Sequence, residues 1–74
     1  MKIALVRIEY ITHLDGANKF IALLAEGFKK LGHIVEIFSW CYRGVEGSEL
    51  EKWFREMHGL DTTIPIYTLR EKAV

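Results

Sequence analysis

The chain has 74 residues, 50% apolar and 27% charged, with 10 Lys+Arg against 10 Asp+Glu, so its formal net charge is zero. That composition describes an ordinary globular chain and excludes a disordered one. Zero net charge argues against the basic stripe of a nucleic-acid binder and against electrostatic membrane attachment. One cysteine excludes an intrachain disulfide, and the three histidines are too scattered for a metal site. A single core of this size supplies only about 3–5 kcal/mol unless association supports it.

The elements alternate strand and helix. Ile3 to Ile8 is a short apolar run rich in branched residues and reads as a buried strand. Glu9 to Gly16 reads as a loop holding His13, Asp15 and Gly16. From Ala17 to Leu31 the pattern is helical: Ala17, Phe20, Ile21, Leu24, Phe28 and Leu31 share one face, which is expected to be the core face. Gly32 stands where a left-handed residue ends a helix, and Lys29 and Lys30 complement the dipole of the last turn.

Ile34 to Ser39 reads as a second strand, and Trp40 to Gly47 as a loop with two glycines. Ser48 to Glu51 has the pattern of a capping box, opening a helix that should bury Leu50, Trp53, Phe54 and Met57 and end near His58 and Gly59. Thr63 to Leu69 reads as a third strand. Pro65 has no N–H, so that strand belongs at a sheet edge.

The expected fold is α/β: a half-Rossmann βαβαβ unit filling residues 1–74 as a single truncated domain. Its three-stranded parallel sheet has order 3-2-1, and both helices lie on one face. Parallel sheets are almost always covered on both faces, and nothing else in the chain covers the second one. Alternation makes both sides of strands one and two apolar. Strand one would also be an unpaired edge of good β-formers. The expected partner is therefore a second copy, through the strand-one edge or the bare face, or a separate chain carrying a missing C-terminal domain. A two-fold axis beside strand one would pair it antiparallel with its copy. No nucleic acid, membrane, metal or cofactor is expected, and the reading is of a cytoplasmic protein with a reduced thiol.

One segment is more specific. His13-Leu14-Asp15-Gly16-Ala17-Asn18-Lys19 opens a helix directly after an N-terminal strand, and that helix closes in Leu31-Gly32-His33-Ile34-Val35. Residues 1–39 resemble the N-terminal end of group 1 (family 4) glycosyltransferases, which have the two-domain GT-B fold. Those chains begin with a strand, a loop carrying Gly-Gly-Ala-Glu and a helix ending Arg-Gly-His-Glu-Val. The resemblance implies a ligand-binding loop at His13, Asp15, Gly16, Ala17 and Asn18, whose amides approach the diphosphate of a nucleotide-sugar. A helix N-terminus preceded by glycine suits an anion. Asp15 stands at the family's first glycine and Asn18 at its glutamate, and Asp15 also fits a plain helix cap. The donor-binding C-terminal domain of that family has no counterpart in the 74 residues, so no catalytic residue is assigned and no independent sugar transfer is expected. A small homodimeric scaffold protein without catalysis is the alternative.

Single residues carry structural readings. Arg7 inside a strand should face Glu9, Asp15 or, across the strands, Glu36, or mark the rim of a dimer interface. His33 belongs to the helix-ending turn, and His58 to a helix C-terminus. Cys41 reads as an inert thiol, and Trp40 and Tyr42 as aromatics packed at the second loop or in an interface.

Overall fold

A computed structural model of the chain describes residues 1–11, 16–40 and 47–69, with backbone only at 8–10 and 69. The elements are β1 (Lys2–Tyr10), α1 (Gly16–Lys30), β2 (Ile34–Trp40), α2 (Gly47–His58) and β3 (Ile66–Leu69). All pairing is parallel, in the order β1-β2-β3, as the sequence predicts. Helix α1 packs on β2 and on α2, and α2 packs on β3, so both helices lie on one face.

The core forms between that helical layer and one side of the sheet. Val35, Ile37 and Ser39 alternate along the buried side of β2, and Ile66 continues that side on β3. Ala22 and Ala25 of α1, Leu50 and Phe54 of α2, and Leu60 and Ile64 of the connection to β3 close over them. Alanines at 22 and 25 let the α1 backbone come close to the sheet. Buried Ile11 follows β1, and its N–H donates to the Trp40 carbonyl at 3.1 Å. Pairing thus continues past an irregularity between Arg7 and Tyr10, where β1 takes three steps while β2 takes one. Strand β1 is accordingly longer than its apolar run suggests.

Both helices end in the same way. At α1, the His33 N–H donates to the Phe28 carbonyl and the Gly32 N–H to that of Lys29. At α2, Leu60 donates to Arg55 and Gly59 to Glu56. Gly32 (φ +92°) and Gly59 (φ +66°) take the left-handed conformation these Schellman closures require. The His33 ring meets Phe28 edge-on at 6.2 Å, the side-chain contact that accompanies the motif. Residues after α2 are tied back to α1: Lys29 donates to the Thr63 carbonyl at 2.7 Å, Lys30 meets Asp61 at 3.0 Å, and the Asp61 N–H donates to Glu26.

The structure departs from the sequence reading at several places. The buried side of α1 is Asn18, Ala22 and Ala25, with Ile21, Leu24 and Phe28 half-buried; Ala17, Phe20 and Leu31 are exposed. The apolar stripe is real, but the helix is rolled so that its small residues meet the sheet. Trp53 is 38% exposed, so α2 buries Leu50, Phe54 and His58 instead. Strand β3 begins at Ile66, not Thr63. The Glu51 carboxylate, expected at the start of its own helix, accepts the Ile66 N–H at 3.0 Å. His58 is in the core, edge-on to Phe54 at 4.6 Å, while Lys19 takes its carbonyl at 3.0 Å.

Ile37 is fully buried at the centre of this layer. Ile37→Ala should lower the unfolding free energy by about 2–5 kcal/mol, comparable to the whole stability expected of so small a core. Urea denaturation followed by circular dichroism checks this; a loss below about 1 kcal/mol would mean that the core tolerates collapse there.

Candidate functional site

Ligands of open α/β sheets bind beyond the carboxyl ends of the strands. Among the described residues, each strand contributes a polar residue to the helix-facing side of that end. Register pairs Arg7 with Ser39 and Ser39 with Thr68, so the three form a row across β1, β2 and β3. The row follows from strand alternation: Arg7 shares a side with Ile3 and Leu5, and Ser39 with Val35 and Ile37. Asn18, in the first turn of α1, reaches the same place. Arg7 Nε donates to Asn18 Oδ1 at 3.0 Å. Asn18 and Ser39 are fully buried, and Ser39 Oγ donates to the Trp40 carbonyl at 3.2 Å.

This arrangement places a cation under a helix start whose first turn carries no acidic residue. The guanidinium and the positive end of the helix dipole favour an anion in the same place. Asn18 turns the guanidinium through Nε. Hydroxyls at Ser39 and Thr68 extend a polar floor across the sheet.

Of the loop residues singled out from sequence, Gly16 and Ala17 are exposed at the start of α1 and Asn18 is buried beneath them. His13 and Asp15 lie outside the described residues, as do Cys41 and Tyr42. Arg7 does not pair with Glu36, because the two residues are on opposite sides of the sheet. The partner that sequence reasoning missed is Asn18, whose position on the helix looked like a departure from a family motif. A polar residue one turn into a helix, opposite a strand arginine, was the available signal. Among the described residues, no group of His, Cys, Asp and Glu could hold a metal ion, and no helix is long and apolar enough to cross a membrane.

The opposite side of the sheet has its own chemistry. Val6 and Ile34 are each 63% exposed, and Tyr67 stacks on Phe38 with ring centroids 5.3 Å apart. Lys2 Nζ pairs with Glu36 at 3.3 Å, and the Tyr67 hydroxyl donates to the same carboxylate. This is the bare face expected from alternation, with one polar centre in it. The hydrogen bond to Glu36 and the carboxylate's charge hold the Tyr67 pKa above its ordinary 10.0.

No protein-family model, curated protein or solved structure matches the chain. The fold defines the class: a half-Rossmann α/β unit with a polar row at its carboxyl end and, among the described residues, an uncovered sheet face.

The Tyr67 shift fixes a pH dependence. The neutral phenol is favoured in the fold, so its contribution is complete below the unfolded pKa and is lost as pH rises through the raised folded value. Glu36→Gln removes the negative charge and should bring the Tyr67 titration down toward its ordinary position. Titration of the Tyr67 ring resonances by nuclear magnetic resonance in both proteins measures this, and an unchanged midpoint would assign the shift to another cause.

Proposed function

We infer that this unit binds a phosphate-bearing small molecule, of the nucleoside-diphosphate or nucleotide-sugar class, at the carboxyl end of its sheet. The single observation that supports the reading is Arg7, oriented by Asn18 beneath the first turn of α1. An arginine presents planar, always-charged donors that match phosphate oxygens, and a helix start adds backbone N–H groups and a favourable dipole. The glycosyltransferase-like reading of residues 1–39 agrees with this placement, since it calls for a diphosphate at the same loop-to-helix junction. The proposed role is binding; it assigns no group as a catalytic acid, base or nucleophile.

A second reading is a non-catalytic homodimeric scaffold. The apolar face and the β1 edge, both open among the described residues, favour it. The two readings separate on ligand binding.

Titration with a nucleoside diphosphate, and separately with inorganic phosphate, should shift the amide resonances of Gly16 to Lys19. Arg7→Ala should weaken binding by about tenfold or more, the loss of a charge-assisted hydrogen bond, while Arg7→Lys should retain part of it. Matching far-ultraviolet spectra for the variants would show that the fold survives. No shift at roughly millimolar ligand, or equal affinity in Arg7→Ala, would remove the phosphate reading in favour of the scaffold.

A further inference from the structure

Among the described residues the sheet ends in β1 on one side and β3 on the other, and the two edges are treated differently. Strand β3 is four residues long and follows Pro65. The Pro65 carbonyl accepts the Ile37 N–H at 2.9 Å, which turns the next N–H, that of Ile66, to the outside; Glu51 receives it at 3.0 Å. A short strand, a proline and a carboxylate on the outward N–H are devices that blunt an edge. Strand β1 spans nine residues with no proline. The Ile34 N–H donates to the Met1 carbonyl at 3.0 Å, so Met1, Ile3 and Leu5 turn their backbone groups toward β2. Alternation then points the N–H and C=O groups of Lys2, Ala4 and Val6 away from the sheet.

Helix α1 supplies an independent observation on the same flank. Lys19, Glu26, Lys29 and Lys30 face α2 and the segment that follows it, through their bonds to His58, Asp61 and Thr63. At 3.6 residues per turn, Phe20, Leu24 and Leu31 stand roughly 120–160° round the helix from that row. Helix α2 lies toward β3, so this stripe overhangs β1. Phe20 is 65% and Leu31 75% exposed. Beneath them, Ile3 and Leu5 on the helix side of β1 are only half-buried.

We propose that the chain forms a homodimer in which β1 pairs antiparallel with β1 of a second copy, about a two-fold axis perpendicular to the sheet, with α1 packing against the partner's α1 through Phe20, Leu24 and Leu31. One operation satisfies both observations. It joins two open edges into a six-stranded sheet and keeps all four helices on the same face. An isologous contact of this kind closes on itself. With the axis at Ala4, Ile3 meets the partner's Leu5 on the helix side, and Lys2 meets the partner's Val6 on the other. The two Lys2 charges are then about 13 Å apart along the strands, beyond the screening length near physiological salt. Parallel pairing in register would place them side by side. Helices seated over β2 and its copy would be about 14 Å apart, wider than the usual 8–10 Å, and large side chains such as Phe20 and Leu31 suit that gap. The inference does not depend on the phosphate reading.

Sedimentation equilibrium of the full chain across a dilution series tests it, with three variants alongside. The expected result is a reversible dimer. Ala4→Pro removes an N–H that points away from β2 and should leave a folded monomer. Phe20→Lys changes an exposed residue, so folding should survive, and should raise the dimer dissociation constant by about tenfold or more. Ile34→Lys, on the bare sheet face, should leave dimerisation unchanged. A monomer at every concentration would overturn the proposal. So would a dimer lost in Ile34→Lys but kept in Ala4→Pro and Phe20→Lys, which would move the interface to the bare face. Far-ultraviolet spectra and thermal melts identify any unfolded variant. Should Ala4→Pro unfold, Phe20→Lys decides the matter, an undiminished dimer counting against the proposal.

Discussion

Strand β2 is the contact on which the rest of the structure depends. It is the only strand, among the described residues, paired on both sides, and its Val35-Ile37-Ser39 side is fully or nearly fully buried. Helix α1 lies against it, and α2 reaches the same layer through Phe54 and Leu50. A chain this short has room for one core, so every element is placed by its distance from that side of β2. The pairing of β1 and β3, the roll of α1 and the polar row at the carboxyl end all follow.

The two Schellman closures convert that packing into a defined path. Gly32 and Gly59 each reverse the chain within a turn and return it toward the sheet. The segment after α2 is then anchored on α1 by Lys29, Lys30 and Glu26. These are exposed or partly exposed contacts, each worth little by itself. Their effect is directional: they hold one flank of α1 against α2 and leave the other flank, with Phe20 and Leu31, over β1. The same geometry that completes one side of the helical layer leaves the other unfinished.

The polar features divide between the two sides of the sheet by strand parity alone. Arg7, Ser39 and Thr68 share the helical side, where Asn18 can engage the arginine. Lys2, Glu36 and Tyr67 share the bare side, where solvent reaches them. In the first set Arg7 is held by Asn18 beneath the start of α1, and Ser39 and Thr68 continue the row across the sheet. The second puts one polar centre in an apolar surface formed by Val6, Ile34 and Phe38.

Sequence by itself determined the order of elements, their parallel pairing, the edge position of the proline-led strand, the glycine that ends α1 and the existence of a second apolar sheet face. These rest on local chemistry: strand alternation, proline's missing N–H, glycine's access to the left-handed region and the right-handed crossover. Only the tertiary structure decided which apolar residues are core. The stripe through Phe20 and Leu31 is as periodic as a core face should be, yet Ala22 and Ala25 meet the sheet, because close approach of backbone to strand favours small side chains over a wider hydrophobic band. It also decided that Arg7 meets Asn18 and not Glu36, and that Glu51 serves β3. Those pairs are 11 and 15 residues apart in sequence, and nothing in either local pattern specifies a partner until the sheet and helices have been packed together.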